Sequence, residues 1–354
     1  MMEFEPLTTE NEKEWNNFCL QSNSAWFRHT TYWMKYIMDC REDSNSKNLS
    51  FMVKQNGKII AVVPLISQYI YSDKENDEFA NYDTPVPIMA IKNDNVDIVR
   101  EKVFEEVQKY IDELAIRNKI KIGKFFIDPL LKNNICNNFD DFNLLKFSYF
   151  PDLKTTSIID LTVGEDSVLR QMRKGHKADI KSVFRDNYTN NGGGWRVDIF
   201  DYKNIGSFET SVGIMENIHF IDSGRKTRTE QSWVDMYEWI KNKMAFLVLV
   251  WSNDLNRYTT AGLFMNYKDS VYYASYATID SSLFKGKVGY VVQWSAIKYM
   301  IENGFSKYET GWNYYPANFK EKPDDKVMQI SSFKRGFGGK EYLLLSFYKE
   351  YGNL

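Results

Sequence analysis

The sequence predicts a mixed α/β protein built from two similar modules in tandem. A chain of 354 residues is longer than a single hydrophobic core usually supports. Hydrophobic residues make up 43% and aromatic residues 16% of the chain, which is enough material for two cores. In both halves, helices, a group of strands, one long helix and a last strand follow one another. This repeated order indicates an internal duplication of a module of about 150 residues.

Apolar patterns and turn signals define the elements of the first half. Asn56-Gly57 between two apolar runs predicts a β-hairpin, because both turn positions need positive φ. Pro85 and Pro87 restrict their segment to a loop and an edge strand. The predicted helices are 10–21, 30–40 and 94–118, and the predicted strands are 50–55, 58–66 and 124–128. Thr30 or Thr31 is expected to cap the second helix.

The second half repeats this order. Gly304 follows a long helix at the position where a left-handed residue is favoured. The Asn and Gly residues of 187–194 predict a loop, and Asn253-Asp254 predicts a turn of a strand meander. The predicted helices are 165–185, 208–220, 231–244 and 290–303, and the predicted strands are 157–161, 195–200, 246–252, 258–267, 271–278 and 308–312.

Composition excludes several classes of protein. The net charge of −2 gives no overall attraction to nucleic acid or membranes, so any phosphate contact must come from local basic patches. The three cysteines and three histidines lack the spacing of a disulfide framework or a metal site, and this fits a reducing cytoplasm. The acidic N-terminus does not resemble a signal peptide, and no apolar run has the length of a membrane helix. We therefore expect a cytoplasmic protein without stable membrane insertion and without a metal.

A basic helix is predicted over 165–185, directly after a short strand. Stepping at about 100° per residue places one set of side chains on an apolar face and another on a basic stripe beside it. The apolar set is Leu169, Met172, His176, Ile180 and Val183, and the basic set is Arg170, Arg173, Lys174, Lys177, Lys181 and Arg185. The basic stripe is either a phosphate-binding surface or an ordinary solvated helix face.

The segment from Ser332 to Lys340 combines two aromatic residues, three cations and three glycines. Glycines allow the backbone to approach a ligand closely, and cations hold a phosphate or a developing oxyanion. The alternative is a basic turn that joins two strands, predicted over 328–333 and 341–347.

These segments resemble the FemABX-type transferases. The resemblance rests on FKRGFGG near the C-terminus, on the stretch from TSIIDL to LRQMRKGHKADI, and on HTTYW at His29–Trp33. It implies two tandem GNAT-like domains, each a mixed, mainly antiparallel twisted sheet flanked by helices. We expect domain 1 over 1–152 and domain 2 over 153–354, with the option that the C-terminal strand returns to domain 1. Members of the family transfer an acyl group to an amine; the best known add residues from aminoacyl-tRNA to peptidoglycan precursors.

The resemblance also implies roles for individual residues. Lys334 would stabilise the negative charge that forms when the amine attacks the carbonyl, with Phe333 beside the acyl group. Glu309, at the end of a strand, is the candidate that accepts the amine proton. The other candidates would bind donor or acceptor, and they are Arg335, Gly336, Gly338 and Gly339, the cluster Arg173, Lys174, His176 and Lys177, and the loop lysines Lys285 and Lys287.

Two departures from the family leave the co-substrate open. The sequence lacks the long two-helix arm of enzymes that act on membrane-bound precursors, which favours acyl-CoA as donor and a soluble acceptor. The glycines of 284–290 are misspaced for a coenzyme A loop, which favours aminoacyl-tRNA. No tightly bound cofactor is expected.

Several partners and one further class of function also remain open. The acceptor would be the amine of a nucleotide-linked or lipid-linked envelope precursor, either a peptidoglycan peptide or an amino-sugar. The alternatives are an acyl-CoA enzyme of polysaccharide biosynthesis and a non-catalytic saccharide-binding GNAT module. The expected assembly is a monomer or a weak dimer.

Overall fold

The computed structural model describes residues 2–41, 45–71, 78–85, 88–89, 96–131, 144–189, 194–315 and 323–352. Pro87, Cys136 and residues 190–193 of the predicted loop lie outside them. The chain divides into two compact units, of which unit 1 is 1–154 with 343–354, and unit 2 is 155–342. Among the described residues, none of the helices is long and apolar enough to cross a membrane.

Unit 1 contains three helices and two groups of strands. The helices are α1 (Glu12–Gln21), α2 (Thr31–Asp39) and α3 (Val96–Arg117). The strands are β1 (Met2–Pro6), β2 (Lys47–Asn48), β3 (Phe51–Gln55), β4 (Lys58–Val63), β5 (Ile66–Tyr71), β6 (Glu78–Pro85), β7 (Ile88–Met89) and β8 (Ile120–Phe126). One group has the order β1-β3-β4-β7, and the other has β8, β6, β5 and β2 as neighbours.

Two local sequence signals in unit 1 form the structures that they predict. Asn56 and Gly57 have φ of 52° and 71° and connect β3 to β4, which confirms the hairpin. Thr30 caps α2 by accepting a hydrogen bond from the Trp33 N–H at 3.4 Å. The segment 79–91, predicted as a loop and an edge strand, is only partly so. Its first part belongs to β6, which pairs with β5 on one side and with β8 on the other, whereas β7 lies at the end of the group β1-β3-β4-β7. Pro85 is tolerated in β6 as the last residue of the strand.

Unit 2 contains one sheet with helices packed on it. Its strands are β9 (Phe150–Asp160, which enters from unit 1), β10 (Trp195–Phe200), β11 (Ala245–Ser252), β12 (Arg257–Tyr267), β13 (Ser270–Thr278) and β14 (Lys307–Asn313). Its helices are α4 (Glu165–Gln171), α5 (Lys174–Thr189), α6 (Val212–Ser223), α7 (Glu230–Lys241), α8 (Leu283–Gly286), α9 (Val288–Glu302) and α10 (Asp325–Gly336). The strand order is β10-β11-β12-β13-β14-β9. The last strand, β15 (Lys340–Glu350), begins in unit 2 and ends in unit 1, where 346–350 pair with β8.

The core of unit 2 lies between its sheet and α9. Val248, Phe264, Val292 and Ile297 are all fully buried in one cluster. Burying such side chains contributes about 1.5–3 kcal/mol each, so this cluster fixes α9 on the sheet. The segments that connect α9 to β13 before it and to β14 after it are therefore attached to a rigid support.

Two predictions for unit 2 are wrong. The helix predicted over 165–185 is interrupted, because Met172 has extended backbone angles (φ −67°, ψ 152°) between α4 and α5. The strand predicted over 328–333 is instead part of α10. Asp324 caps α10 by accepting a hydrogen bond from the Val327 N–H at 2.7 Å, and Asp325 suits the positive end of the helix dipole.

Candidate functional site

The neighbouring parallel strands β13 and β14 separate after three residue pairs. Their register runs from Ser270 with Lys307 to Tyr272 with Glu309, although both strands continue beyond it. The ladder between β14 and β9 is also interrupted, between Glu309 and Trp312. Gly311 lies inside this interruption with φ +92°, a conformation that favours glycine. Unit 2 therefore has a gap in its sheet beside Glu309 and Gly311.

The ammonium group of Lys334 occupies this gap. Lys334 lies in the last turn of α10, and its Nζ would be 2.8 Å from a Cβ added to Gly311. The hydroxyl of Tyr272 is 3.7 Å from that same position, and the ring centre of Tyr273 is 5.8 Å from Nζ. Burial lowers the pKa of Lys334, while the negative charge of Glu309 opposes this shift. The gap therefore combines a half-buried cation, a buried carboxylate and a phenol.

Glu309 is fixed in place from the adjacent strand. Its side chain is buried, and its Oε1 accepts a hydrogen bond from the Thr156 hydroxyl at 2.8 Å. A buried carboxylate needs partners to stay charged, and the Thr156 hydroxyl and the Lys334 charge both favour the ionised form. The structure thus brings the two predicted catalytic residues, Lys334 and Glu309, together.

His176 connects the start of α5 to the end of α10. Its Nε2 lies 2.9 Å from the Phe333 carbonyl oxygen, and its Nδ1 lies 3.2 Å from Arg173 Nη2. A guanidinium can only donate, so Nδ1 must accept and Nε2 must carry the proton that is donated to the carbonyl. Burial and the Arg173 charge lower the pKa of His176, in agreement with this neutral tautomer. His176 is 1% exposed, so the predicted phosphate contact of this residue is wrong.

The glycines of FKRGFGG allow close packing within unit 2. A Cβ on Gly336 would lie 2.1 Å from the His176 ring, and one on Gly338 would lie 2.9 Å from the Gln171 carbonyl oxygen. A Cβ on Gly339 would lie 2.6 Å from the Ile158 carbonyl oxygen. Each of these glycines lies against a neighbouring part of the chain, and this close packing is enough to explain why a glycine is present. Their expected role as the lining of a donor site is not needed for that explanation.

Two more residues of this motif hold α10 in position. Phe333 packs in an aromatic cluster, 5.2 Å from Tyr290 and 5.0 Å from Phe337 between ring centres. Arg335 donates to the Tyr314 carbonyl oxygen at 3.0 Å and lies over the Tyr315 ring at 4.7 Å. Arg335 therefore anchors α10 to the residues that follow β14, and its expected role in lining the donor site stays a prediction.

The remaining predicted cations border α5. Lys174 is exposed, and Lys177 donates to the Arg170 carbonyl oxygen at 3.2 Å. Lys287 donates to the Ser182 hydroxyl at 2.7 Å and lies 3.4 Å from Asp179. Lys285 remains largely exposed, 4.0 Å from Asp186, in a turn where Phe284, Lys285 and Gly286 all have positive φ. The structure therefore places the loop before α9 beside the basic helix, although acidic side chains of α5 partly neutralise its lysines.

Sequence reasoning missed Tyr272 and Gly311. Nothing distinguishes Tyr272 from its aromatic neighbours in a core strand, so only the three-dimensional register reveals it. Gly311 did carry a signal, because a glycine inside a strand often marks an irregularity or a close approach. Among the described residues, no group of three or more His, Cys, Asp or Glu side chains is arranged to hold a metal ion.

Comparisons with known proteins agree with the fold. No family model and no curated protein matches the sequence. The structure is similar to that of FemX, with a TM-score of 0.63 and 13% identity over 98% of this chain and 97% of that one. It is also similar to a tandem GNAT protein from the clavulanic acid biosynthesis pathway, with a TM-score of 0.54 and 10% identity over the whole of both chains. The L-PGS of Bacillus licheniformis gives a TM-score of 0.55 and 12% identity over 99% and 94% of the two chains.

Proposed function

Because the chain has the tandem GNAT fold of FemX, we propose that it is an N-acyltransferase that forms an amide bond on an amine. The observation that carries this proposal is the half-buried Lys334, whose ammonium lies in the gap between β13 and β14 beside Glu309. Moving a lysine charge partly out of water costs stability unless other groups compensate the charge. Stabilising a developing negative charge is a function that uses such a preorganised cation.

In this reaction the amine nitrogen attacks the acyl carbonyl carbon, and the carbonyl oxygen becomes negatively charged. Lys334 donates a hydrogen bond to that oxygen and stabilises the tetrahedral intermediate. The C–N bond forms in this addition, and the intermediate collapses when the bond from carbon to the leaving oxygen or sulfur breaks. The amine loses one proton and the leaving group takes one up. Glu309 as the proton acceptor remains a prediction, and its charge also favours the protonated form of Lys334.

Aminoacyl-tRNA is the proposed donor. Exposed cations at the start of α5, Arg173 and Lys174, lie on the same helix that Lys287 contacts, and Lys285 extends from the same turn. Such a group of cations suits a phosphate backbone. The acyl-CoA alternative is supported by a different feature, the parallel pair β13 and β14, which separates after Tyr272 and Glu309 and whose two strands α9 connects.

The proposed acceptor is an amine of a nucleotide-linked or lipid-linked cell-envelope precursor, as the sequence resemblance implies. We also propose a cytoplasmic location, where charged tRNA, acyl-CoA and nucleotide-linked precursors are all found. A non-catalytic saccharide-binding module is the less favoured proposal, because binding a saccharide does not require a cation such as Lys334 in this gap.

A transfer assay tests the proposal. The purified protein is incubated with aminoacyl-tRNA or acetyl-CoA, each with a nucleotide-linked muramyl peptide or a nucleotide amino-sugar, and the amide is detected by mass. Removing a preorganised cation should lower the rate about 100-fold or more, so Lys334→Met is the test variant. Lys340→Met is its matched control, since Lys340 is an exposed lysine of the same segment that lies over the Tyr342 ring.

Two results would contradict the proposal. If folded Lys334→Met keeps the rate of the wild type, Lys334 does not stabilise the transition state. If no pair of substrates gives an amide while a saccharide alone raises the melting temperature, the chain is a binding module. Thermal stabilisation by coenzyme A would exclude aminoacyl-tRNA as the donor and leave the acyltransferase proposal in place.

A further inference from the structure

A pocket of about 300 Å³ lies between α6 and α7 in unit 2. None of the residues that form the Lys334 site lines it. The turn between the two helices contributes Arg225, Lys226 and Arg228, and α6 contributes Glu216 and Phe220. A volume of this size is at the lower end of small-molecule sites, so it suits a compact ligand.

The three cations are available to a ligand. Among the described residues, no carboxylate forms an ion pair with Arg225 or Arg228. Lys226 pairs with Glu230 at 3.1 Å, but both side chains are largely exposed. An exposed pair of this kind contributes little, so Lys226 can turn to a bound anion at small cost.

Arg228 is held in a fixed orientation. Its guanidinium carbon lies 4.7 Å from the ring centre of Trp233, and Nη1 contacts the sulfur of Met236 at 3.7 Å. Stacking on an aromatic ring preorganises the planar guanidinium and leaves its N–H groups for a bidentate oxyanion. The pocket thus has one arginine that is held against an aromatic ring, Arg228, and a second arginine, Arg225.

Aromatic rings form the other part of the pocket. Phe220 is 50% exposed although it lines the cavity, and Trp233 forms its inner side. His219 packs against Trp233 at 5.5 Å between ring centres, and its Nδ1 lies 3.2 Å from the Thr227 hydroxyl. Burial and the Arg228 charge lower the pKa of His219, so the imidazole is a neutral hydrogen-bonding group. An exposed phenyl ring beside unpaired arginines favours a ligand with both an apolar and an anionic part.

Glu216 restricts the anion to one side of the pocket. Burial and the nearby charge of Glu230 raise the pKa of Glu216, and Lys226 opposes this shift. A carboxylate repels a second anion, so the ligand's charged group is directed toward the three cations and away from α6.

We propose that this pocket binds a small ligand in which a phosphate or carboxylate group is carried on an aromatic or apolar body. Arg228, Arg225 and Lys226 bind the oxyanion, and Phe220 and Trp233 contact the apolar part. The site is independent of the acyl-transfer site, so its occupancy is measured as equilibrium binding and not as activity.

Isothermal titration of the full chain with phenyl phosphate, phenylacetate, inorganic phosphate and phenol tests this site. Phenyl phosphate or phenylacetate should bind in a 1:1 ratio, and inorganic phosphate and phenol should bind at least about tenfold more weakly. Arg225→Ala should weaken the aryl anion about tenfold, because it removes a charge-assisted hydrogen bond. Glu216→Gln should tighten it several-fold by removing the repelling carboxylate.

Arg257→Ala is the matched control, since Arg257 is also an exposed arginine of unit 2 but lies outside the pocket. Its affinity should equal that of the wild type. The proposal is overturned if no aryl anion binds, if Arg257→Ala weakens binding as much as Arg225→Ala, or if Glu216→Gln weakens it. The relative affinities of the two aryl anions decide between a phosphate and a carboxylate ligand.

Discussion

Replacing Gly336 by alanine should destabilise unit 2 through one specific contact. The added Cβ would lie 2.1 Å from both Cε1 and Nε2 of His176, a distance at which one of the two groups must move. His176 cannot move freely, because it is 1% exposed and packs 4.9 Å from both Tyr290 and Phe337 between ring centres. The same displacement breaks its hydrogen bond to the Phe333 carbonyl oxygen at 2.9 Å.

The expected loss follows from these two effects. Inserting a methyl group into a packed interior costs about 1–3 kcal/mol, and leaving a buried polar partner unsatisfied costs about 1–3 kcal/mol. Gly336→Ala should therefore lower the free energy of unfolding by about 2–6 kcal/mol, a large part of the stability of an ordinary domain. In a His176→Ala background the obstacle is gone, and the cost of Gly336→Ala should fall by about half or more.

Urea denaturation followed by tryptophan fluorescence measures both values. Gly175→Ala is the matched control, because Gly175 directly precedes His176 in α5 and an added Cβ there meets no atom within 4 Å. That variant should be as stable as the wild type or gain about 0.5 kcal/mol. The reasoning is refuted if Gly336→Ala loses less than about 0.5 kcal/mol, or if its cost is the same with and without the His176 imidazole.

Two further predictions concern buried groups, one in each unit. Burial lowers the pKa of His176, so the unfolded chain binds more protons and stability falls as the pH falls from about 7 through the normal histidine range. His176→Gln keeps a donor for the carbonyl but cannot titrate. The melting temperature of this variant, relative to that of the wild type, should therefore rise as the pH falls from about 7.5 to 5.5, and a constant difference would contradict this. In unit 1, Arg28 lies 2.5 Å from the buried Asp128, and Asp128→Ala should cost about 3–5 kcal/mol because it removes the carboxylate that balances the Arg28 charge. Chemical denaturation of Asp128→Ala and of the double variant with Arg28→Met should show that the second change recovers part of the loss, and no recovery would refute the pairing argument.

Sequence reasoning identified the elements whose signals are local. The Asn56-Gly57 hairpin and the Thr30 cap depend on a few neighbouring residues, and both were correct. The long helix before Gly304 was also correct, because Gly304 adopts φ +75° just after α9. The tandem GNAT fold followed from the family resemblance, and the structural comparisons confirm it.

The errors arose where tertiary contacts decide the local structure. The periodicity of 165–185 continues through Met172, but the Arg173 N–H bonds the Gly336 carbonyl oxygen at 3.0 Å and the helix breaks there. Gly336 is far from Arg173 in the sequence, so no local pattern could reveal this hydrogen bond. The helix α10 did have a local signal in its Asp324 cap, which an apparent strand pattern obscured. The phosphate contact expected for His176 failed for the first reason, since an imidazole in a motif can serve packing as well as a ligand, whereas the donor-site role of Arg335 stays a prediction.

The chain order of unit 1 has a consequence for synthesis on the ribosome. Residues 343–354 belong to this unit, although all of its other residues precede position 155. Residues 122–126 of β8 pair with 346–350 of β15, and Lys349 lies 2.8 Å from both carboxylate oxygens of Asp112 on α3. During translation β8 keeps one open edge until more than two hundred further residues, including all of unit 2, have emerged, and an open edge invites pairing with other chains. A nascent chain of this design depends on unit 2 folding promptly or on a chaperone that shields the edge of β8.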